Sequence, residues 1–231
     1  MDPVFVRPRY VSKGREIDGV FLMDSFGMAG GSEASWKKEM YTQDALQYLY
    51  WKTGLHCVAV QRNGAGYAQL LEAAYLMRRR LGVTKVQFCV IISMGNDVYG
   101  YASDEKQDEG IDDLIAGRVA SGMVEVQRYS QKYLANSSLI VYGGASKTWK
   151  YTGLMASKYD QYVNNIVMEI RKYADAIKGL SLGVLDTVDK IGHVNISSLG
   201  IVVHSFVSWA LMAKGLPWGG ALYAADVKSK L

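Results

Sequence analysis

Short apolar runs alternate along the chain with longer segments in which apolar residues recur every three or four positions. The runs that predict β-strands lie at 19–25, 56–61, 85–93, 138–144 and 180–186. The periodic segments predict helices near 36–51, 67–81, 112–135 and 160–178, and a last helix after Ser197 or Ser198. The 160–178 segment includes Ile177 in its apolar stripe. This alternation predicts an α/β domain with parallel strands and helices on both faces.

The order of these elements limits the topology of the sheet. Right-handed crossovers favour a three-layer α/β/α sandwich whose five-stranded parallel sheet has the flavodoxin-like order 2-1-3-4-5. In that order strand one separates Cys57 from Cys89, so a disulfide between them is out of reach and both are expected as buried thiols. The predicted organisation is an N-terminal extension (1–18), an α/β domain (19–213) and a C-terminal tail (214–231).

Composition and charge argue against several function classes. The chain has 231 residues, of which 49% are hydrophobic and 21% charged, and its net charge is +4, all typical of a soluble globular domain. Residues 78–80 form an arginine run at a predicted helix end, which favours a solvated face over a nucleic-acid patch. No apolar stretch approaches the roughly 20 residues of a membrane span. The N-terminus does not resemble a signal peptide, so we expect a cytoplasmic or intracellular protein.

Chemically useful residues follow the predicted strands at their carboxyl ends, where open parallel sheets bind ligands. They are Asp24 and Ser25, the glycine loop 63–66, Asn96 and Asp97, Gly143 and Gly144 with Trp149 and Tyr151, and Asp186, Asp189 and His193. A hydroxyl nucleophile, an imidazole base and amide donors are the parts that acyl transfer needs. His56 begins strand two at the opposite edge, and His204 lies inside the last helix. The base, if there is one, is therefore His193.

Four short motifs resemble those of one enzyme family. "MDSFG" (23–27), "NGAGY" (63–67), "MGNDVY" (94–99) and "DKIGHVN" (189–195) occur in the order, and on the elements, of the SGNH hydrolase (GDSL esterase/lipase) family. The resemblance covers roughly 19–213. It implies that Ser25 is the nucleophile and His193 the general base. It also implies an oxyanion hole made by the N–H groups of Ser25 and Gly66, with Gly64 as the alternative, and by the amide of Asn96.

The resemblance further implies that Asp24 and Asp97 shape their turns rather than react. Asp189 resembles the acid of the triad, but it lies four residues before His193, where the family has three. Asp186 or a backbone carbonyl is the alternative partner of the imidazole. Other departures are Met23 in place of glycine, Phe26 in place of leucine and Val194 in place of proline.

Apolar side chains map to the loops of the same edge. They line an acyl or alcohol pocket or else anchor the loops, and they are Phe26, Met28, Tyr99, Trp149 and Tyr151. The acidic stretch 104–113 matches no calcium loop and is expected to be a solvated loop. No metal-ligand spacing occurs.

Three functions are compatible with this pattern. The first is an SGNH-type esterase that needs no metal or cofactor and cleaves a small-molecule, lipid or carbohydrate ester. The second is a catalytically weak or inactive SGNH-fold domain that binds or interacts within a larger protein. The third is a flavodoxin-like nucleotide or flavin binder that uses the loop "SFGMAGGSEAS" (25–35), although this loop lacks a P-loop lysine.

Overall fold

The computed structural model describes residues 2–12, 14–24, 35–93, 96–97, 113–144, 164–173, 177–181 and 199–215. The strands are β1 (Val4–Val6), β2 (Gly19–Met23), β3 (Cys57–Gln61), β4 (Val86–Ser93), β5 (Ala135–Gly144) and β6 (Ile177–Ser181). The helices are α1 (Ser35–Thr53), α2 (Tyr67–Leu81), α3 (Asp113–Tyr133), α4 (164–171) and α5 (Leu199–Ala213).

The six strands form one sheet in the order β1-β3-β2-β4-β5-β6. Strands β2 to β6 pair in parallel, and when they are numbered in chain order they lie across the sheet in the predicted order 2-1-3-4-5. All five residues of β2 are buried, as expected for a strand covered by helices on both faces. The predicted fold class is therefore confirmed.

Two details of the predicted sheet are wrong. The sheet has a sixth strand, because β1 pairs antiparallel with β3 and places Phe5 opposite Val60. This strand falls in the predicted extension 1–18, and three residues are too few to show a strand period. The last strand is also shifted, since it was predicted at 180–186 but β6 begins at Ile177, which pairs with Ile140. Residues 182–186 lie outside the part of the chain that the structure describes.

Four of the five helices pack together in two pairs. Helix α1 packs against α5, and α2 packs against α3. The rings of Phe21 on β2 and Phe206 on α5 stack with centroids 4.7 Å apart, and both side chains are fully buried. Burial of a side chain of this size contributes on the order of 2 kcal/mol. No helix within the described ranges is long and apolar enough to cross a membrane.

Two predictions about individual residues are confirmed. One is that Cys57 and Cys89 are buried thiols, and the other is that His56 lies at the amino edge of the sheet. Cys57 and Cys89 are buried free thiols on strands that β2 separates, and burial raises the pKa of Cys89 to about 12. His56 precedes β3 at the amino edge. Its backbone N–H donates to Asp18 Oδ2 at 2.8 Å, and its ring Nδ1 lies 2.9 Å from the carbonyl oxygen of Glu16.

Candidate active site

Three neighbouring strands end together at the carboxyl edge of the sheet. Strand β2 lies between β3 and β4 and pairs in parallel with both. Backbone hydrogen bonds continue past the strand ends, since the N–H of Asp24 donates to Ile92 at 3.0 Å and the N–H of Arg62 donates to Met23 at 3.0 Å. The residues that follow these strands are therefore held at fixed positions relative to one another.

Asn96 links the three strand ends through its side-chain amide. Its Nδ2 donates to the carbonyl oxygen of Ala65 at 3.1 Å and to Asp24 Oδ2 at 3.4 Å. The first distance is that of a normal hydrogen bond, and the second is long. Asp24 is fully buried and Asn96 partly so. The amide therefore has a fixed orientation in which one of its two N–H groups is only weakly engaged.

Gly66 is the residue that caps the N-terminus of α2. Its φ of −91° is open to any residue, so its conformation does not require glycine. The limited space beside Asp97 does require glycine, because a Cβ at this position would lie 2.3 Å from Asp97 Oδ1 and 3.0 Å from Asp97 Cγ. Glycine at position 66 therefore allows the carboxylate of Asp97 to approach the start of the helix.

Asp97 accepts a hydrogen bond from the first backbone N–H of α2. The N–H of Tyr67 lies 3.2 Å from each of its carboxylate oxygens. This position suits a negative charge, because the N-terminus of a helix carries a partial positive charge. Burial nevertheless dominates and raises the pKa of Asp97 to about 6, while the N–H of Tyr67 opposes the rise. The carboxyl group therefore titrates close to neutral pH.

The raised pKa of Asp97 makes stability depend on pH. A carboxyl whose pKa rises from 3.8 to about 6 on folding binds its proton more tightly in the folded state. The stabilisation it gives is complete below the unfolded value and is lost as the pH rises through about 6. We expect the free energy of unfolding of the wild type, relative to Asp97→Asn, to fall by about 2 kcal/mol between pH 4 and pH 7.

Urea unfolding of both proteins at the two pH values measures this fall. The matched control is Asp44→Asn, because Asp44 is a partly exposed aspartate that pairs with Arg9 at 3.7 Å. The control should show no change of this size relative to the wild type. A wild type that gains stability over Asp97→Asn between pH 4 and pH 7 contradicts the assigned direction.

The backbone N–H of Gly66 makes a hydrogen bond that the motifs did not predict. This N–H donates to Gln69 Oε1 at 3.0 Å, and Gln69 is the third residue of α2. A Gln or Glu at this position commonly reaches back to the N-cap backbone. The stretch "GYAQ" (66–69) carries that signal. The N–H predicted as an oxyanion donor is therefore already hydrogen-bonded within the chain.

The ring of Tyr67 is held in place by packing, in addition to the hydrogen bonds of its backbone N–H. A Cβ on Gly122 of α3 would lie 2.2 Å from Cδ2 of the Tyr67 ring. The absence of a side chain at Gly122 lets the ring pack closely on α3. Both contacts hold the first turn of α2, and with it Gly66, in place beside Asp97.

Solved structures share this arrangement of strands and helices. An acetyl xylan esterase, Est2A, from the rumen bacterium Butyrivibrio proteoclasticus matches 89% of this chain with a TM-score of 0.56 and 12% identity. A carbohydrate esterase family 2 enzyme from Corynascus thermopiles (Myceliophthora fergusii) matches 90% of this chain and 69% of its own, with a TM-score of 0.59 and 17% identity. A GDSL-like lipase from Parabacteroides merdae matches 87% of this chain and 98% of its own, with a TM-score of 0.51 and 12% identity. The chain shares the fold of these esterases and of this lipase.

At these identities the likeness establishes the fold. The chain spans 65% of the length of the acetyl xylan esterase. No family model matches the sequence, and no curated protein matches it.

Within this fold, the structure brings together four of the residues that the motifs singled out. Asp24 and Asn96 are hydrogen-bonded to each other, and Gly66 lies against the carboxylate of Asp97, at the ends of β2, β3 and β4. Gly64 lies in the same loop but is exposed, with a φ of +72° that favours glycine. The other predicted site residues lie outside the part of the chain that the structure describes: Ser25, Phe26, Met28, Tyr99, Trp149, Tyr151, Asp186, Asp189 and His193. Among the described residues, no group of three or more His, Cys, Asp or Glu is placed to hold a metal ion.

Proposed function

We propose that this protein is a serine hydrolase of the SGNH type that cleaves carboxylic esters through an acyl-enzyme on Ser25. The observation that carries the proposal is the link made by Asn96 between Asp24 and Ala65. Ser25 follows Asp24 directly in the chain, and Gly66 follows Ala65. The link therefore joins two segments. One would supply Ser25, with its nucleophilic hydroxyl and its N–H, and the other would supply the N–H of Gly66.

The proposed reaction has two steps. In the first, Ser25 Oγ attacks the ester carbonyl carbon while the imidazole of His193 accepts the hydroxyl proton. The tetrahedral intermediate then expels the alcohol, which takes that proton from the imidazole. In the second, water attacks the acyl-enzyme, gives its proton to His193 and releases the carboxylic acid, and Ser25 regains its proton. Asp189 or Asp186 would orient the imidazole.

The negative oxygen of each tetrahedral intermediate needs fixed donors. The amide of Asn96 is suited to this role, because its orientation is fixed by Ala65 and its second N–H is only weakly engaged by Asp24. The N–H of Gly66 would join it after release from Gln69, whose side chain can turn away from the helix end. The N–H of Ser25 would be the third donor.

The substrate class is proposed from the similar structures. Two of them carry the names of esterases of acetylated xylan and of carbohydrate, and a third carries the name of a lipase. We therefore propose a small-molecule, carbohydrate or lipid ester as the substrate. The residues proposed to line the acyl or alcohol pocket are Phe26, Met28, Tyr99, Trp149 and Tyr151.

One observation favours a second function, that of a binding domain with the SGNH fold and little or no activity. Two of the three proposed oxyanion donors already have partners within the chain, since Gly66 donates to Gln69 and Asn96 donates to Ala65 and Asp24. A site whose donors are satisfied internally needs no substrate to complete it. The two functions differ in whether Ser25 is an activated nucleophile.

A fluorophosphonate probe separates these functions without a guess about the substrate. We expect intact mass spectrometry to find one adduct on the folded wild type and none on Ser25→Ala. Ser121→Ala is the matched control, because Ser121 is exposed on α3, where alanine suits a helix. It should be labelled as fully as the wild type. A folded wild type that takes no adduct would leave the binding domain as the remaining function.

A further inference from the structure

A cavity lies at the outer edge of the sheet, between β1, β3 and α2. Its volume is about 390 Å³, within the range of small-ligand sites. The residues that line it are Pro3, Phe5, Val60, Leu76, Arg79 and Arg80. The two arginines lie at the C-terminal end of α2, about 20 Å along the helix from Gly66 at its start. The cavity is thus distinct from the candidate active site.

The floor of this cavity is apolar. Phe5 and Val60 face each other across the antiparallel pair of β1 and β3, so their side chains lie on the same face of the sheet. Leu76 approaches this face from α2. Val60 is buried, while Phe5 and Leu76 are partly exposed. A ligand in the cavity can therefore cover apolar surface that the chain leaves partly open.

One face of α2 brings two positive charges to the rim. Leu76, Arg79 and Arg80 are spaced three and four residues apart, so they lie on the same side of the helix. Arg78 does not line the cavity, and its guanidinium group donates to the carbonyl oxygen of Gly82. The arginine run is thus divided: one member caps the helix, and two border the cavity.

A third arginine adds to the charge at this end of β1. The guanidinium groups of Arg7 and Arg80 lie 5.0 Å and 4.9 Å from the centroid of the Phe5 ring. The ring attracts each of them, but the two like charges repel each other. Within the ranges that the structure describes, no carboxylate pairs with Arg7, Arg79 or Arg80, whereas Arg9 and Arg62 both have acidic partners. The charge is thus available to an anion.

We propose that this cavity binds the carboxylate of a fatty acid. A guanidinium group binds a carboxylate through two parallel hydrogen bonds. Arg79 and Arg80 supply such groups beside the apolar floor of Phe5, Val60 and Leu76, which takes the first part of the alkyl chain. The two features together select this ligand. An inorganic anion would not use the apolar floor, and a neutral apolar ligand would not use the arginines.

Isothermal titration of the full chain with laurate, below its micelle concentration, tests the proposal. We expect Arg79→Gln/Arg80→Gln to bind laurate at least tenfold more weakly than the wild type. Arg78→Gln is the matched control, because it removes the same charge from the same run but not from the cavity, and it should bind as the wild type does. Acetate and dodecyltrimethylammonium, which lack the alkyl chain and the negative charge respectively, should both bind far more weakly. Both arginines of the double variant are exposed, so the fold should be preserved, and far-UV circular dichroism checks this.

Four results of these titrations would each overturn the proposal. They are the absence of laurate binding to the wild type, equal binding by the double variant, an equal loss in Arg78→Gln, and equal binding of the cationic analogue. A single-stranded oligonucleotide that binds through Arg79 and Arg80 more tightly than laurate would also overturn it and would assign the arginines to a nucleic-acid contact. Laurate held at the proposed esterase site would still bind to the double variant, so only the binding that Arg79→Gln/Arg80→Gln removes is assigned to this cavity, and that part does not depend on Ser25.

Discussion

Replacing Asn96 with alanine is expected to reduce kcat/KM for an ester by roughly 100- to 1000-fold, the usual effect of removing one oxyanion donor. The amide is the best-positioned donor in the described part of the site, because its hydrogen bond to Ala65 fixes its orientation. The loss should fall mainly on kcat, since the donor acts on charge that develops in the transition state. Steady-state hydrolysis of an activated ester measures it.

A control separates this effect from a general loss of stability. Asn136→Ala removes the same side chain from an exposed position on β5 and should leave kcat/KM unchanged. Asn96→Ala removes a partly buried link and should also cost on the order of 1 kcal/mol in the free energy of unfolding. The rate must therefore be compared on protein that is shown to be folded. A folded Asn96→Ala variant with wild-type kcat would exclude the amide from the proposed oxyanion hole.

Asn96→Asp tests the same position by charge. It preserves the shape of the side chain but places a second carboxylate about 3.4 Å from Asp24 Oδ2. Two ionised carboxylates at this distance repel each other, and the repulsion ends when one of them is protonated. We expect this variant to be as inactive as Asn96→Ala at neutral pH and to regain stability, but not activity, as the pH falls.

Gly66→Ala is the second change with a large expected effect. The new Cβ would lie 2.3 Å from Asp97 Oδ1, so the carboxylate must move away from the N–H of Tyr67. We expect a loss of about 2 kcal/mol in the free energy of unfolding, as for other overpacked positions. Activity should also fall, because Gly66 and its N–H shift with the first turn of α2. Urea unfolding and ester hydrolysis measure the two effects.

A double-mutant cycle with Asp97→Ala identifies the cause. If the clash with the carboxylate is responsible, the double variant should be at least 1 kcal/mol more stable than the sum of the single losses predicts. Gly117→Ala is the matched control, since a Cβ at that position of α3 meets nothing within 4 Å. It should leave stability unchanged or slightly raised. Strict additivity of the two losses would mean that the glycine is needed for another reason.

Most of the fold follows from local pattern. The apolar stripe predicted α2 at 67–81, and the structure has the helix at Tyr67–Leu81. The long apolar run predicted the central strand β4 to within one residue. The pattern of apolar residues mispredicts an element where that element is short, or where its apolar residues fit both the helix period and the strand period. In the sequence, Ile177 continues the apolar stripe of the preceding helix. In the structure, Ile177 pairs with Ile140 and is the first residue of β6.

The candidate site was predictable only in part, for a different reason. Sequence motifs indicate which residue types follow each strand, and parallel pairing brings Asp24, Gly66 and Asn96 to one edge. They do not indicate which hydrogen bonds these residues make. The bond from Gly66 to Gln69 has a local signal, whereas the packing of Tyr67 on Gly122 depends on the distance between two helices. Contacts of the second kind arise only from tertiary packing.

Strand β1 has a consequence for how the protein behaves at high concentration. The edge of a sheet can recruit a strand from another molecule, and short strands, proline and charge reduce that risk. Strand β1 has only three residues and is bordered by Pro3, Arg7 and Pro8. It covers β3, whose five residues are all buried. A chain without β1 would present β3 as a longer and largely apolar edge, open to strand exchange and aggregation.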